Sequence, residues 1–127
     1  MGQKVIFVGD EPSRKNLDPN VAFLGTKSYD TLCSWLHKLK VNHDDYVMIN
    51  RTHEEFPTLM GLAAITDIKV VALGNNAERA IKQLDYKNLD FFKMPHPSGR
   101  NRKLNNKKYV AEVLKECYNY IHGGISL

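Results

Sequence analysis

The sequence predicts an α/β fold, a three-layer sandwich in which a four-stranded parallel sheet lies between helices. Three observations predict it. Four short runs of mostly β-branched or aromatic apolar residues recur along the 127-residue chain, each run is closed by Gly, Asn or Pro, and helical apolar spacing fills the intervals. Strands that alternate with helices pair in parallel, because each crossover carries the chain back to the same end of the sheet. The length suits one core, so a single domain over residues 1–127 is expected.

The elements follow in order. Residues 4–8 read as a buried strand ended by Gly9. Residues 10–27 are polar, hold Pro12, Pro19 and Gly25, and form a loop too long to be a mere connector. Ser28 is placed to cap a helix over 29–39, whose Leu32, Trp35, Leu36 and Leu39 share one face. Residues 46–49 form a second strand ended by Asn50, and a helix is expected after it with Thr52 as cap and Glu54 and Glu55 in its first turn. A third strand over 68–73 closes at Gly74, and Asn75 or Asn76 caps a helix to about residue 84. A fourth strand, 91–94, closes at Pro95. The last helix, about 105–122, carries Val110, Val113, Leu114, Cys117 and Ile121 on its apolar side and stops at Gly123-Gly124.

Composition excludes several classes. No apolar run approaches the roughly 20 residues that cross a bilayer, and the first apolar run is too short for a signal-peptide core. The two cysteines, Cys33 and Cys117, support neither a disulfide framework nor a four-cysteine cluster, which fits reduced thiols in an intracellular, cytoplasmic or nucleoid-associated protein. His37, His43 and His53 have no metal-ligand spacing, and no metal site or other cofactor is expected. No Gly-rich phosphate loop is present, so nucleoside triphosphate chemistry is not expected. The net charge of +4 permits a nucleic-acid partner without requiring one.

In parallel sheets, functional loops lie beyond the carboxyl ends of the strands. That rule selects Gly9-Asp10-Glu11-Pro12-Ser13, Asn50-Arg51-Thr52, Gly74-Asn75-Asn76 and Pro95-His96-Pro97-Ser98-Gly99-Arg100. A carboxylate at Asp10 or Glu11 can orient water or steady a developing cation, although Asp before Pro also starts turns. The Asn50 amide, with one acceptor and two donors, suits a pyrimidine edge, and equally a turn. His96 is held between two prolines that fix its backbone, and a neutral imidazole there can donate to an oxyanion on a leaving group. The stretch 100–108 has five basic residues (Arg100, Arg102, Lys103, Lys107 and Lys108) and no acid. With Ser98 and Gly99 it suits phosphate contact, at some cost where positive charge meets a helix N-terminus.

These motifs resemble the uracil-DNA glycosylase superfamily. Gly9-Asp10-Glu11-Pro12-Ser13 is similar to its first motif, written G-Q-D-P-Y, G-E-A-P-G or G-x-N-P-G in different branches. Val47-Met48-Ile49-Asn50 is similar to the strand ending in its base-reading Asn, residues 70–77 to its third-strand segment, and His96-Pro97-Ser98-Gly99-Arg100 to its second motif, H-P-S-P-L or N-P-S-G-L. The resemblance spans residues 4–122 and implies a sheet of order 2-1-3-4. It implies an enzyme that flips a base from DNA and hydrolyses its N-glycosidic bond. Asp10 or Glu11 would be the catalytic carboxylate and His96 would stabilise the leaving base. Asn50 would read the base and Phe23 would stack on it, in a pocket also lined by Gly9 and Pro12. Ser13, Ser98, Gly99, Arg100, Arg102 and Lys103 would contact single- or double-stranded DNA, bound by a monomer.

Four departures refine the expectation. Ser13 replaces a Tyr whose ring excludes 5-methyl groups, which opens the pocket to 5-substituted pyrimidines. Arg100 replaces a wedging Leu. The cysteines are too few for the cluster of the iron–sulfur branches. The chain is also shorter than most members, which suits single-stranded or small substrates. Two other readings remain: a hydrolase of the same fold acting on a free or modified nucleoside or nucleotide, and a non-catalytic nucleic-acid-binding module. Base release and its salt dependence separate them.

Overall fold

The first apolar run becomes β1, Val5–Gly9, and every residue of it is buried because strands pair along both its edges and helices cover both its faces. The computed structural model describes residues 3–10, 27–97 and 101–123. Within them follow α1 (Lys27–Leu39), β2 (Tyr46–Asn50), α2 (Phe56–Ala64), β3 (Lys69–Leu73), α3 (Asn75–Leu84), β4 (Phe92–Met94) and α4 (Lys107–His122). Two 3₁₀ turns, His43–Asp45 and Arg102–Asn105, precede β2 and α4.

All pairings are parallel, as the alternation of elements predicts, and the strand order is β2-β1-β3-β4, as the resemblance implies. The register sets Gly9 beside Asn50 and Leu73 beside Met94, so four loops leave one end of the sheet nearly level. Crossovers share one hand, so helices change face when the chain reverses its direction across the sheet. The chain steps from β1 out to β2 through α1, then back over β1 to β3 and β4 through α2 and α3. Accordingly α1 lies on one face and α2 and α3 on the other.

Two apolar layers result. On one face, Leu32, Trp35, Leu36 and Leu39 of α1 and Leu114, Cys117 and Ile121 of α4 pack on Val5, Phe7, Val71, Leu73 and Met94. On the other, Phe56, Met60 and Ala63 of α2 and Ala77 and Ile81 of α3 pack on Ile6, Val8, Ile49, Val70 and Ala72. The alternation along β1 is the period of a pleated strand. Burial in this core pushes the Cys117 thiol up to about 12, so it stays protonated and behaves as a small apolar side chain. Among the described residues no helix is long and apolar enough to cross a membrane.

Four helix starts differ from expectation. Ser28 lies inside α1 rather than ahead of it. The second helix begins at Phe56, not after Thr52. Pro57 sits in its first turn, where a missing N–H costs nothing, and residues 51–55 form turns in which the His53 ring accepts from the Glu55 N–H at 3.1 Å. The helix α3 has Gly74 at its cap position and so no side-chain cap, while Asn76 lies inside it and its amide donates to Asp10. Asn105 belongs to a 3₁₀ turn, and Asn106 caps α4 by accepting from the Tyr109 N–H at 3.1 Å. Gly123 ends α4 in the left-handed region at φ +77°, the helix stop the sequence indicates.

Short β4 pairs with β3 only at Val71–Leu73, and on that edge a side chain takes over at Val70. The Val70 N–H donates to the Tyr120 hydroxyl at 3.3 Å, and that hydroxyl donates to the Asp90 carbonyl at 3.3 Å. Burial, more than any charge, raises the Tyr120 phenol to about 12. Replacing Tyr120 by Phe removes both bonds and leaves the Val70 N–H without its acceptor. The expected cost is about 1–2 kcal/mol, read as a lower urea midpoint at unchanged slope.

Candidate active site

The site is built from residues immediately past the carboxyl ends of the strands. The ladder continues one step beyond its formal end at two places. The Arg51 N–H donates to the Gly9 carbonyl and the Gly74 N–H to the Met94 carbonyl, each at 2.9 Å. These bonds fix where Asp10, Arg51, Gly74 and Pro95 begin.

Asp10 is gripped from both sides. Arg51 Nε donates to its Oδ1 at 2.6 Å and Asn76 Nδ2 donates to its Oδ2 at 3.0 Å. The side chains of Asp10 and Arg51 are 30% and 29% exposed, so this ion pair is half shielded from solvent. Burial opposes ionisation of Asp10, but the bonds from Asn76 and Arg51, with the charges of Arg51 and His96, outweigh it. The carboxyl stays below the usual carboxylate range. An acid so held is ionised at neutral pH and is a weak base.

His96 is half-buried between the buried Pro95 and Pro97. Burial holds its pKa below the ordinary 6.5, against the opposing pull of the Asp10 charge. The imidazole is therefore neutral at pH 7. Two backbone features hold it. Asn101 Nδ2 donates to the His96 carbonyl at 3.0 Å while its Oδ1 accepts from the Lys103 N–H at 3.1 Å. Gly74, at φ +97° and ψ 178°, lies flat against it: a Cβ built there meets His96 Cβ at 3.0 Å and Cδ2 at 3.3 Å. That backbone region is essentially open only to glycine.

Asn50 ends β2 and is 4% exposed. Its Oδ1 is buried and has no hydrogen-bond donor among the described residues. Buried polar atoms are nearly always paired, so this oxygen is an acceptor for a donor from beyond the described residues.

The structure thus brings Asp10, Asn50 and His96, with Gly9 beside them, to one end of the sheet. Lys103 and Arg102 are exposed in the 3₁₀ turn that Asn101 ties to His96. Lys103 lines a cleft of about 380 Å³ that His96 borders, while Arg102, Asp10 and Asn50 do not line it. Glu11, Pro12, Ser13, Phe23, Ser98, Gly99 and Arg100 lie outside the described residues. Three residues absent from the expected set belong to the site. Arg51 and Asn76 hold Asp10, and Asn101 holds His96. Arg51 and Asn76 stand in strand-end loops that the sequence selects, but Asn76 there reads as a helix cap. Among the described residues no group of three His, Cys, Asp or Glu side chains is placed to hold a metal ion.

Two outcomes test this geometry. Gly74→Ala is expected to lose about 1–3 kcal/mol of stability from backbone strain, measured by denaturant midpoint, and to shift the His96 ring resonances. Asp10→Asn removes a charge that raises the His96 pKa. NMR titration of His96 should then show protonation at lower pH than in the wild type, itself below 6.5. Because the folded pKa is depressed, the neutral His96 contributes stability that is complete above 6.5 and lost as pH falls through its folded value.

A family model described as the uracil DNA glycosylase superfamily matches residues 2–117 of this chain. No curated protein sequence matches it.

Proposed function

The chain belongs to the uracil-DNA glycosylase superfamily, and from that premise we propose that it hydrolyses the N-glycosidic bond of uracil or a related pyrimidine displaced from DNA. The observation that carries the reading is Asn50. A buried amide oxygen without a donor matches the N3–H of a uracil-type edge, and the same amide's NH₂ matches the neighbouring O4.

Chemistry follows from the charge states. As the C1′–N1 bond breaks, positive charge grows on the sugar and negative charge on the base. Asp10, ionised and fixed by Arg51 and Asn76, faces the cation as a charge rather than as a proton acceptor, since its depressed pKa makes it a poor base. Neutral His96 donates an N–H to the base oxygen that takes the negative charge, and burial avoids a strongly acidic imidazolium at that atom. Water adds to C1′, its hydroxyl stays on the sugar, and its proton goes to the departing base. Glu11, next along the chain, is the second candidate for ordering that water.

Release of base from labelled oligonucleotides carrying uracil, thymine opposite guanine, or 5-hydroxymethyluracil tests the reading. Asp10→Asn and His96→Ala are each expected to lower the rate about 10²–10³-fold while the fold persists. Asn50→Leu separates binding from stability. It abolishes base recognition, yet it removes an orphaned buried oxygen and is expected to leave the protein about 1 kcal/mol more stable. Wild-type rates in all three variants would overturn the mechanism.

A further inference from the structure

The cleft beside His96 is not needed to read the base or to break the bond. It holds about 380 Å³, at the lower end of ligand-pocket volumes and enough for one nucleotide unit. It is lined by Lys93 and Met94 of β4, the strand at the edge of the described sheet. Lys93, from β4, and Lys103, from the 3₁₀ turn, both line it and both are exposed. Lys93 Nζ lies 3.3 Å from Oε1 of the half-buried Glu78, which engages one of the three ammonium donors and leaves the others to a phosphate. Among the described residues no carboxylate lines the cleft. Tyr109 forms part of the wall and is half-buried in the first turn of α4, where the Asn106 cap on its own N–H fixes its backbone. An aromatic wall and two ammonium groups around a nucleotide-sized space are the elements of a strand-binding platform.

We propose that this cleft seats the nucleotide next to the reacting one, with its base against Tyr109 and its phosphate between Lys93 and Lys103. The proposal rests on the glycosylase reading for its choice of a nucleic-acid strand. It adds the form of that strand. A base stacked on a protein ring has left its neighbours in the duplex, so the seat selects single-stranded substrate. The seat is also coupled to chemistry. Asn101 bonds the Lys103 N–H with one side-chain atom and the His96 carbonyl with the other, so an occupant that steadies the Lys103 turn steadies His96.

The test is fluorescence anisotropy with a ten-nucleotide deoxyadenosine strand, which offers no pyrimidine to excise, at several salt concentrations, alone and annealed to its complement. The wild type is expected to bind the single strand more tightly than the duplex. The double variant Lys93→Gln/Lys103→Gln should weaken binding and flatten the log–log salt slope by about 0.7, the value for one phosphate of a single strand left unneutralised. Tyr109→Leu should weaken binding about tenfold at unchanged slope, and Tyr109→Phe should keep it. Lys38→Gln/Lys115→Gln, exposed lysines of α1 and α4 with the same total charge change, should stay near wild type. Equal behaviour of the two lysine pairs, wild-type binding by Tyr109→Leu, or duplex bound as tightly as single strand would each overturn the seat. Uracil release measured on the same proteins keeps the two ideas apart. Release that persists while the binding pattern fails overturns the seat alone. The expected binding pattern without release by the wild type overturns the glycosylase reading alone.

Discussion

Every residue of the site hangs from the parallel pairing of β1 with β3. The chain leaves β1 toward one edge of the sheet, returns over it, and continues to the other edge, so β1 and β3 are neighbours whose following segments turn to opposite faces. A crevice forms where two adjacent strands part company in this way. The Asn76–Asp10 bond bridges that crevice, from the start of α3 to the end of β1, and Arg51 closes it from β2. One carboxylate thereby ties three strands together at their carboxyl ends. The register does the rest. Because Gly9 is level with Asn50 and Leu73 with Met94, the acid, the amide and the imidazole arrive at the same height without any long loop to carry them.

The electrostatics of the site divide labour between two groups that burial treats alike. Desolvation disfavours the charged form of both Asp10 and His96. Asp10 escapes because two donors and a guanidinium compensate it. His96 has the carboxylate's field as the opposing influence, and burial prevails. An ionised acid and a neutral histidine at the same end of a sheet suit a bond that breaks into a cation and an anion.

The strands and their parallel pairing were legible in the sequence, because buried parallel strands announce themselves as apolar runs closed by Gly, Asn or Pro, while the strand order came with the family resemblance. Helix starts were less so. Thr52, Glu54 and Glu55 compose a good first turn by residue type. Pro57, however, favours the first turn of a helix and clashes with one further in, and it decides the start. The roles of Asp10, Asn50 and His96 were suggested by their place at strand ends. Their partners were not, since Arg51, Asn76 and Asn101 act on residues 41, 66 and 5 positions away and no local pattern encodes the distant two. A cap residue and a brace look identical in sequence. Only the position of the neighbouring strand tells which role Asn76 takes.

The three strands that carry the site are not equally secured. The central β1 is paired along both edges, and β2 along five residue positions, whereas β4 is three residues long and pairs with β3 alone. Stability in such a sheet is graded, with short edge strands opening in partial fluctuations that leave the centre intact. His96 rides on the strand with the fewest bonds, while Asp10 stands on the central β1 and Asn50 on an edge strand paired along five positions. Warming or mild denaturant therefore detaches the imidazole before the core gives way. The working lifetime of the site is set by the shortest strand, and the melting temperature of the whole molecule overstates it.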